Sequence, residues 1–384
     1  MIEELQAQLA EQREAGRYRQ RRLIGSAQGV NTVIDGREVI SFCSNDYLGL
    51  ANHPEIKQAF VDAVGEYGVG SGAAHLINGH SQLHEDCEQR LATFTGRSRA
   101  LLFSTGYMAN LAVASALLGR SDCIIHDKLN HASLIDSARL SGARSLRYRH
   151  NDLAQLSSIL GAQDDAHRKL IMTDAVFSMD GDCADITAIS KLAKQHNAWT
   201  MVDDAHGFGV LGDRGAGLLE QLGLGEEEVP ILMATLGKAV GTAGAFIAGS
   251  EALIETLIQR ARPYIYTTAA PPALAAATIK SIDIVEQESW RRDKLIELIV
   301  YFRQKMAALD LTLMPSQTPI QPVLIGDNEQ TLRLSAGLFE RGLHVTAIRP
   351  PTVAESSARL RITLSANHQH EHIDALVEAL GELL

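Results

Sequence analysis

The 384-residue chain is poor in cysteine: Cys43, Cys87, Cys123 and Cys183 lie far apart and make no C-x-x-C pair. That spacing excludes a disulfide framework and a cysteine-ligated metal centre, and it fits reduced thiols in a cytoplasmic protein. Positive charge is also short, with 35 Lys+Arg against 46 Asp+Glu, a net of −11. A net-negative surface argues against nucleic acid or an anionic membrane as the main partner. No apolar run reaches the ~18 residues that a bilayer span requires. The first 23 residues carry Arg17, Arg19, Arg21 and Arg22, as a transit peptide would, but they also carry Glu3, Glu4, Glu11 and Glu14. Transit peptides are poor in acids, so an amphipathic helix is expected there. Internal repeats and low-complexity linkers are absent.

What is present is ample core material: 46% of residues are apolar. A single core stops growing at roughly 250–300 residues, so one large body with a smaller second domain is expected. Short apolar runs at 99–104, 123–127, 170–178, 198–205, 231–237 and 244–249 read as strands. Helix-length segments at 107–119, 131–141 and 187–196 separate them. Strand–helix–strand alternation predicts an α/β fold with a mostly parallel central sheet covered by helices on both faces. Beyond 280 the pattern changes. A long helix over 281–309, strands near 320–325, 343–348 and 359–364, and helices over 329–341 and 369–383 predict a smaller α+β domain. The expected divisions are an N-terminal helix and extended segment (1–45), a large domain (46–285) and a C-terminal domain (286–384).

Four motifs mislead. "GFGVLG" (207–212) matches the dinucleotide pattern, but "DRGAG" follows it, a second turn signal where a helix must open. A nicotinamide-dependent dehydrogenase is therefore the remote reading. "LGKAV" is no phosphate loop, because Leu232 and Ala239 stand where Gly and Ser/Thr are needed. His80 and His84, and the "HQHEH" run (368–372), resemble metal spacing but lack a third ligand or sit at the start of a surface helix. No metal is expected.

The chemistry gathers around one lysine. In "TLGKAVGTAGAF" (235–246) Lys238 follows the apolar run "ILMA". A poorly solvated ammonium loses proton affinity, and the neutral amine forms an imine with a carbonyl. "MVDDAHGFG" puts Asp203 and His206 at the C-terminal end of another apolar strand, where open α/β sheets bind ligands. "STGYMAN" (104–110) turns from strand to helix, and the N–H groups of Gly106 and Tyr107 suit a phosphate. "LNHASLID" places His131 at the start of a further helix. An imine lysine, an acid for a ring nitrogen, a phosphate nest and a stacking imidazole together describe pyridoxal phosphate.

Over nearly its whole length the chain resembles the α-oxoamine synthases, fold-type I pyridoxal-phosphate enzymes. "SNDYLGL" (44–50), "GVGSGAAHLINGH" (68–80), "VFSMDGD" (176–182), "VDDAHGFGVLG" (202–212) and "TLGKAVG" (235–241) carry the resemblance in order. It implies that Lys238 is the imine-forming lysine and Asp203 the partner of the ring nitrogen. His206 and Ser178 would contact the ring hydroxyl, His131 would stack on the ring, and Thr235 would hold the phosphate. Thr267 and Thr268, in "YTTAAPP", would reach a phosphate across a homodimer interface. Arg361 would bind the substrate carboxylate, with Arg359 as its rival. Asn45 is either a second carboxylate contact or a turn residue. Asp204 competes with Asp203, or caps a turn.

Within the family, "AIRPPTVAESSARLRITLSANH" (347–368) looks most like the branch that condenses L-alanine with a pimeloyl thioester and releases CO2. Thr352 after the proline pair, and Arg21, would then touch substrate; Arg21 otherwise belongs to a solvated helix face. The acyl group would ride on coenzyme A or on an acyl carrier protein. A branch using glycine and acetyl-CoA, or an autoinducer synthase, is the near alternative.

Overall fold

The computed structural model describes residues 1–15, 17–163 and 165–384. The chain enters through an exposed helix, Ile2–Glu14, with no buried residue, and then a hairpin of β1 (Asn31–Ile34) and β2 (Arg37–Ser41). Asp35 and Gly36, both at positive φ, make its two-residue turn.

Seven strands follow: β3 (Arg99–Phe103), β4 (Cys123–Asp127), β5 (Arg144–Tyr148), β6 (Lys169–Asp174), β7 (Trp199–Asp203), β8 (Ile231–Thr235) and β9 (Ala245–Gly249). They form one sheet in the order β3-β9-β8-β7-β6-β4-β5. The run β8-β7-β6-β4-β5 is parallel, and β9 runs antiparallel to both its neighbours. Alternate residues of these strands feed two cores. Leu102, Ile125, Ile171, Val202, Leu232 and Phe246 join one, and Leu101, Ile124, Leu170, Met201, Ile231 and Ile247 join the other. Burial on both faces explains why the strands read as continuous apolar runs.

The final third holds β10 (Thr312–Leu313), β11 (Ile320–Gly326), β12 (Leu343–His344), β13 (Thr346–Ile348) and β14 (Ala358–Thr363). Strands β10-β11-β14-β13 form an antiparallel sheet, the smaller C-terminal part.

Three expectations need correction. The helix expected over 281–309 is two helices, Pro272–Gln287 and Trp290–Met306, broken at Glu288. Tertiary contact sets the break: Arg291 is buried there, donating to Leu48 O at 2.9 Å and to Glu288 at 2.6 Å. The strand expected over 343–348 divides at buried Val345, and β12 leaves to pair in parallel with β2. The strand expected over 170–178 ends at Asp174. The chain then turns back on itself, with Phe177 N–H donating to Asp182 O and a bridge from Val176 to Cys183. Strand β5 was not anticipated, because an edge strand reading "RSLRY" lacks the apolar pattern of its neighbours.

Candidate active site

Parallel strands bring their C-terminal ends to one rim. Asp174 closes β6 beside Asp203 closing β7, in direct register, and Thr235 closes β8. Two helices open at the same rim: Gly106–Leu117 after β3, capped by Thr105, and Ala132–Leu140 after β4, capped by His131. Together they enclose a cavity of about 190 Å³ lined by Gly106, His131, Asp174, Asp203, His206 and Lys238, among others.

Lys238 stands in the tight connection between antiparallel β8 and β9. Leu236 N–H donates to Gly244 O at 2.9 Å, and Gly241 N–H donates to Lys238 O at 2.8 Å. Gly241 has φ +71°, and a Cβ there would lie 2.5 Å from Ala51 N, so only glycine fits. This short, internally hydrogen-bonded loop places Lys238 at the cavity wall. Burial lowers the ammonium to about 8, against the pull of Asp203 and Asp174.

The amine is not alone. Lys238 Nζ lies 2.8 Å from His206 Nε2, and His206 Nδ1 lies 2.7 Å from the hydroxyl of fully buried Tyr47. Tyr47 is also 3.2 Å from Asn45 Oδ1, which accepts from Arg361 at 3.3 Å. Burial, then the charges of Lys238 and Arg361, push His206 well below its ordinary value, so its ring is neutral.

On the other wall, Asp203 Oδ2 accepts from Asn110 at 2.8 Å and Oδ1 from Ala205 N–H at 3.1 Å. Asn110 also donates to Ser133 Oγ, and that hydroxyl sits 2.6 Å from His131 Nδ1. Ser133 N–H donates to the same Nδ1 at 3.3 Å. A ring nitrogen that accepts carries no proton, so neutral His131 keeps its proton on Nε2. Burial lowers His131, with Lys238 adding to the effect and Asp203 opposing it. Asp174 accepts His131 N–H at 2.7 Å and is pushed well above the carboxylate range, by burial first and then by Asp203. The donor set fits pyridoxal phosphate: an amine for its aldehyde, a buried acid for its ring nitrogen, and a helix N-terminus at Gly106 and Tyr107 for its phosphate.

The family profile for class I and II aminotransferases matches residues 37–380. An 8-amino-7-oxononanoate synthase of Saccharophagus degradans is 56% identical, over 99% of this chain and 96% of its own length. The chain belongs to the class I and II aminotransferase family, among its 8-amino-7-oxononanoate synthases. A solved SPT holding PLP as an internal aldimine superposes with a TM-score of 0.93 at 29% identity, covering 99% of this chain and 96% of that one. The 8-amino-7-oxononanoate synthase of Francisella tularensis gives 0.79 at 34% identity, covering 90% and 97%.

Within this family member the sequence candidates fall into groups. Lys238, Asp203, His206, His131, Ser178, Thr235, Gly106 and Tyr107 all line the one cavity. The Tyr107 side chain itself turns away to donate to Asp136. Arg361 and Asn45 join the cavity through Tyr47 and His206, and Arg361 Nε donates to Ser178 O at 2.7 Å. The rivals resolve on contacts. Arg359 is consumed by Asp180 at 2.5 Å. Asp204 caps the turns after β7, accepting Leu218 N–H at 2.6 Å, and burial holds it near 8. "GFGVLG" lies in those turns, and no helix opens until Leu218.

Others lie elsewhere. Thr268 bridges to Ala74 and lines a separate cavity of about 270 Å³ with Ser104 and His84, so within one chain it does not meet Lys238. Arg21 and Thr352 are exposed and outside the lysine cavity. Arg22 pairs with Asp35 and stacks on Phe339. His84 donates to Ala270 O and accepts from Ser81, so both its nitrogens serve the fold. In the 368–372 run, His368 stacks on Phe42 and His370 pairs with Glu297. Sequence reasoning missed Asp174, Asn110, Ser133 and Tyr47. The signal for Asp174 was present: an acid ends "LIMTD" as Asp203 ends "TMVD".

Proposed function

We propose that this chain joins L-alanine to a pimeloyl thioester with loss of CO2, giving 8-amino-7-oxononanoate and a free thiol, the carbon–carbon bond-forming step of biotin synthesis. It is a pyridoxal-phosphate-dependent acyltransferase. The observation that carries this reading is the Lys238 amine held at 2.8 Å from neutral His206 and across one cavity from Asp203, in a chain 56% identical to a synthase of that name.

Bound pyridoxal phosphate supplies an electron sink for the charge left on alanine Cα. The chain's own groups do the rest. Lys238 would hold the cofactor through its amine and would take the Cα proton of alanine; an amine near 8 both donates and accepts at neutral pH. Asp203 holds the proton on the ring nitrogen. Arg361 forks onto the alanine carboxylate, with Asn45 beside it, and so sets which Cα bond faces the ring. The Nε2–H of His131 donates to the thioester carbonyl oxygen as charge develops there. Cα bonds to that carbonyl carbon as the C–S bond breaks and the thiol leaves; the resulting β-keto acid loses CO2, and Lys238 returns the proton to Cα.

The active unit is a homodimer in which Thr267 and Thr268 reach the partner's phosphate. Arg21 and Thr352 then meet the acyl donor. Arg17 and Arg19, both exposed, give an acyl carrier protein a basic landing, with coenzyme A as the other carrier. The test is the absorption spectrum of the purified protein on adding L-alanine and then pimeloyl-CoA, with glycine and acetyl-CoA in parallel. A visible band of lysine-bound cofactor that shifts with alanine, and product only with the pimeloyl thioester, is expected. Equal turnover of glycine and acetyl-CoA overturns the substrate assignment; no band after added cofactor overturns the whole reading.

A further inference from the structure

Between the arginine that would take a carboxylate and the lysine that would take a proton runs an unbroken line of hydrogen bonds: Arg361, Asn45, Tyr47, His206, Lys238. Its two ends are cations, and this fixes the order of the protons. Arg361 can only donate, so the Asn45 atom facing it is the carbonyl oxygen. That oxygen can only accept, so Tyr47 donates its one hydroxyl proton to it. The Tyr47 oxygen then offers a lone pair to His206, and His206 must carry its proton on Nδ1. Its Nε2 is left as a bare acceptor, aimed at an ammonium that has nothing but donors. Every link agrees with the next, and Tyr47 is the link that turns the order round, being donor on one side and acceptor on the other.

We propose that Tyr47 is a positioning residue that locks the His206 tautomer with Nε2 as acceptor and so sets the proton affinity of Lys238. This rests on the reading of Lys238 as the cofactor-binding amine. That amine must shed a proton to attach the cofactor and accept one from Cα later. Without the hydroxyl, buried His206 is free to move its proton to Nε2, where an N–H faces the ammonium. The other groups that act on Lys238 are Asp203 from β7 and Asp174 from β6, which favour the charge, and Arg361 from β14 and His131, which oppose it. Of these, Arg361 also hydrogen-bonds the Tyr47 hydroxyl, and removing that oxygen leaves Arg361 its contacts to Ser178 O and Asn45.

The experiment uses Tyr47→Phe and Asn45→Ala in cofactor-free chains, prepared alongside wild type. Pyridoxal phosphate is added and the rate of imine formation is followed by absorbance from pH 6 to about 10, the range between ordinary His and Lys values. A net hydrogen bond of ordinary strength corresponds to a shift of roughly half to one pH unit. Both variants are expected to move the titration of Lys238 downward by that amount, with far-ultraviolet circular dichroism unchanged. Superimposed titrations of wild type and Tyr47→Phe overturn the inference, whether or not the variant melts earlier. A wild-type chain that forms no imine at any pH overturns the functional reading instead.

Discussion

At the residue scale the site depends on charge placed where water is scarce. Lys238→Ala should abolish turnover in a coupled assay for free thiol while circular dichroism stays native. Stability has its own sign. Folding lowers the Lys238 ammonium from 10.5 to about 8, so the charged form costs stability wherever both states are protonated, below about pH 8. That cost fades as pH rises from 8 toward 10.5, as the folded lysine sheds its proton. Lys238→Met should therefore be more stable than wild type at pH 7, by roughly 1–3 kcal/mol, in denaturant melts. A Met variant less stable than wild type at pH 7 but not at pH 11 would contradict the burial argument. Lys238, Asp203 and His206 were legible in the sequence as candidates because each ends or follows an apolar run. Tyr47 was not: "SNDYLGL" shows a tyrosine but not that its hydroxyl sits 2.7 Å from a histidine 159 residues on.

At the element scale the loop after β6 carries Ser178 to the cavity, and it is pinned at several points. Asp180 pairs with Arg359, Asp182 pairs with His150 at 2.8 Å, and Gly181 O accepts from Ser316 and Thr318. Gly181 has φ +73°, and a Cβ there would stand 2.4 Å from Ile320 O. Gly181→Ala should cost about 1–3 kcal/mol in a thermal or urea melt and weaken cofactor binding as Ser178 moves. His150 is gripped on its other nitrogen by fully buried Asp127 at 3.1 Å. Burial alone would lower it, but the two carboxylates raise it to about 10. A cation raised by folding stabilises most fully below its unfolded value near 6.5, and the benefit is lost as pH climbs to 10. His150→Gln should thus be destabilising by roughly 2–4 kcal/mol near pH 6 and close to neutral above pH 10. Equal loss at both pH values would show that the ring acts by packing alone.

At the scale of the whole molecule, the site is built by distant segments. Residues 45–47, 131, 174–178, 203–206, 238 and 361 converge because five parallel strands end at one rim and β14 brings Arg361 from the smaller sheet. Thr268 lies outside this convergence within a single chain. If it serves the partner's phosphate, Lys238→Ala and Thr268→Ala subunits, each impaired alone, should regain activity when co-expressed. One site of the mixed dimer then has both intact groups. Mixtures no better than the Thr268→Ala parent would remove Thr268 from the partner's site.

The sequence by itself determined the class of fold, since buried parallel strands must read as short apolar runs between helices, and it determined the chemistry, since a lysine, acids and histidines at such strand ends have few other uses. It also carried the family, in blocks spread over the chain. Only the tertiary structure decided which of the paired candidates joins the lysine cavity and its hydrogen bonds. Asp203 rather than Asp204, and Arg361 rather than Arg359, follow from partners far away in sequence: Leu218 claims one acid, and Asp180 claims one arginine. The same holds for β5, for the helix break at Glu288 and for the line of hydrogen bonds through Tyr47. Each depends on contacts between segments, and local residue pattern carries no information about which distant group will be within 3 Å.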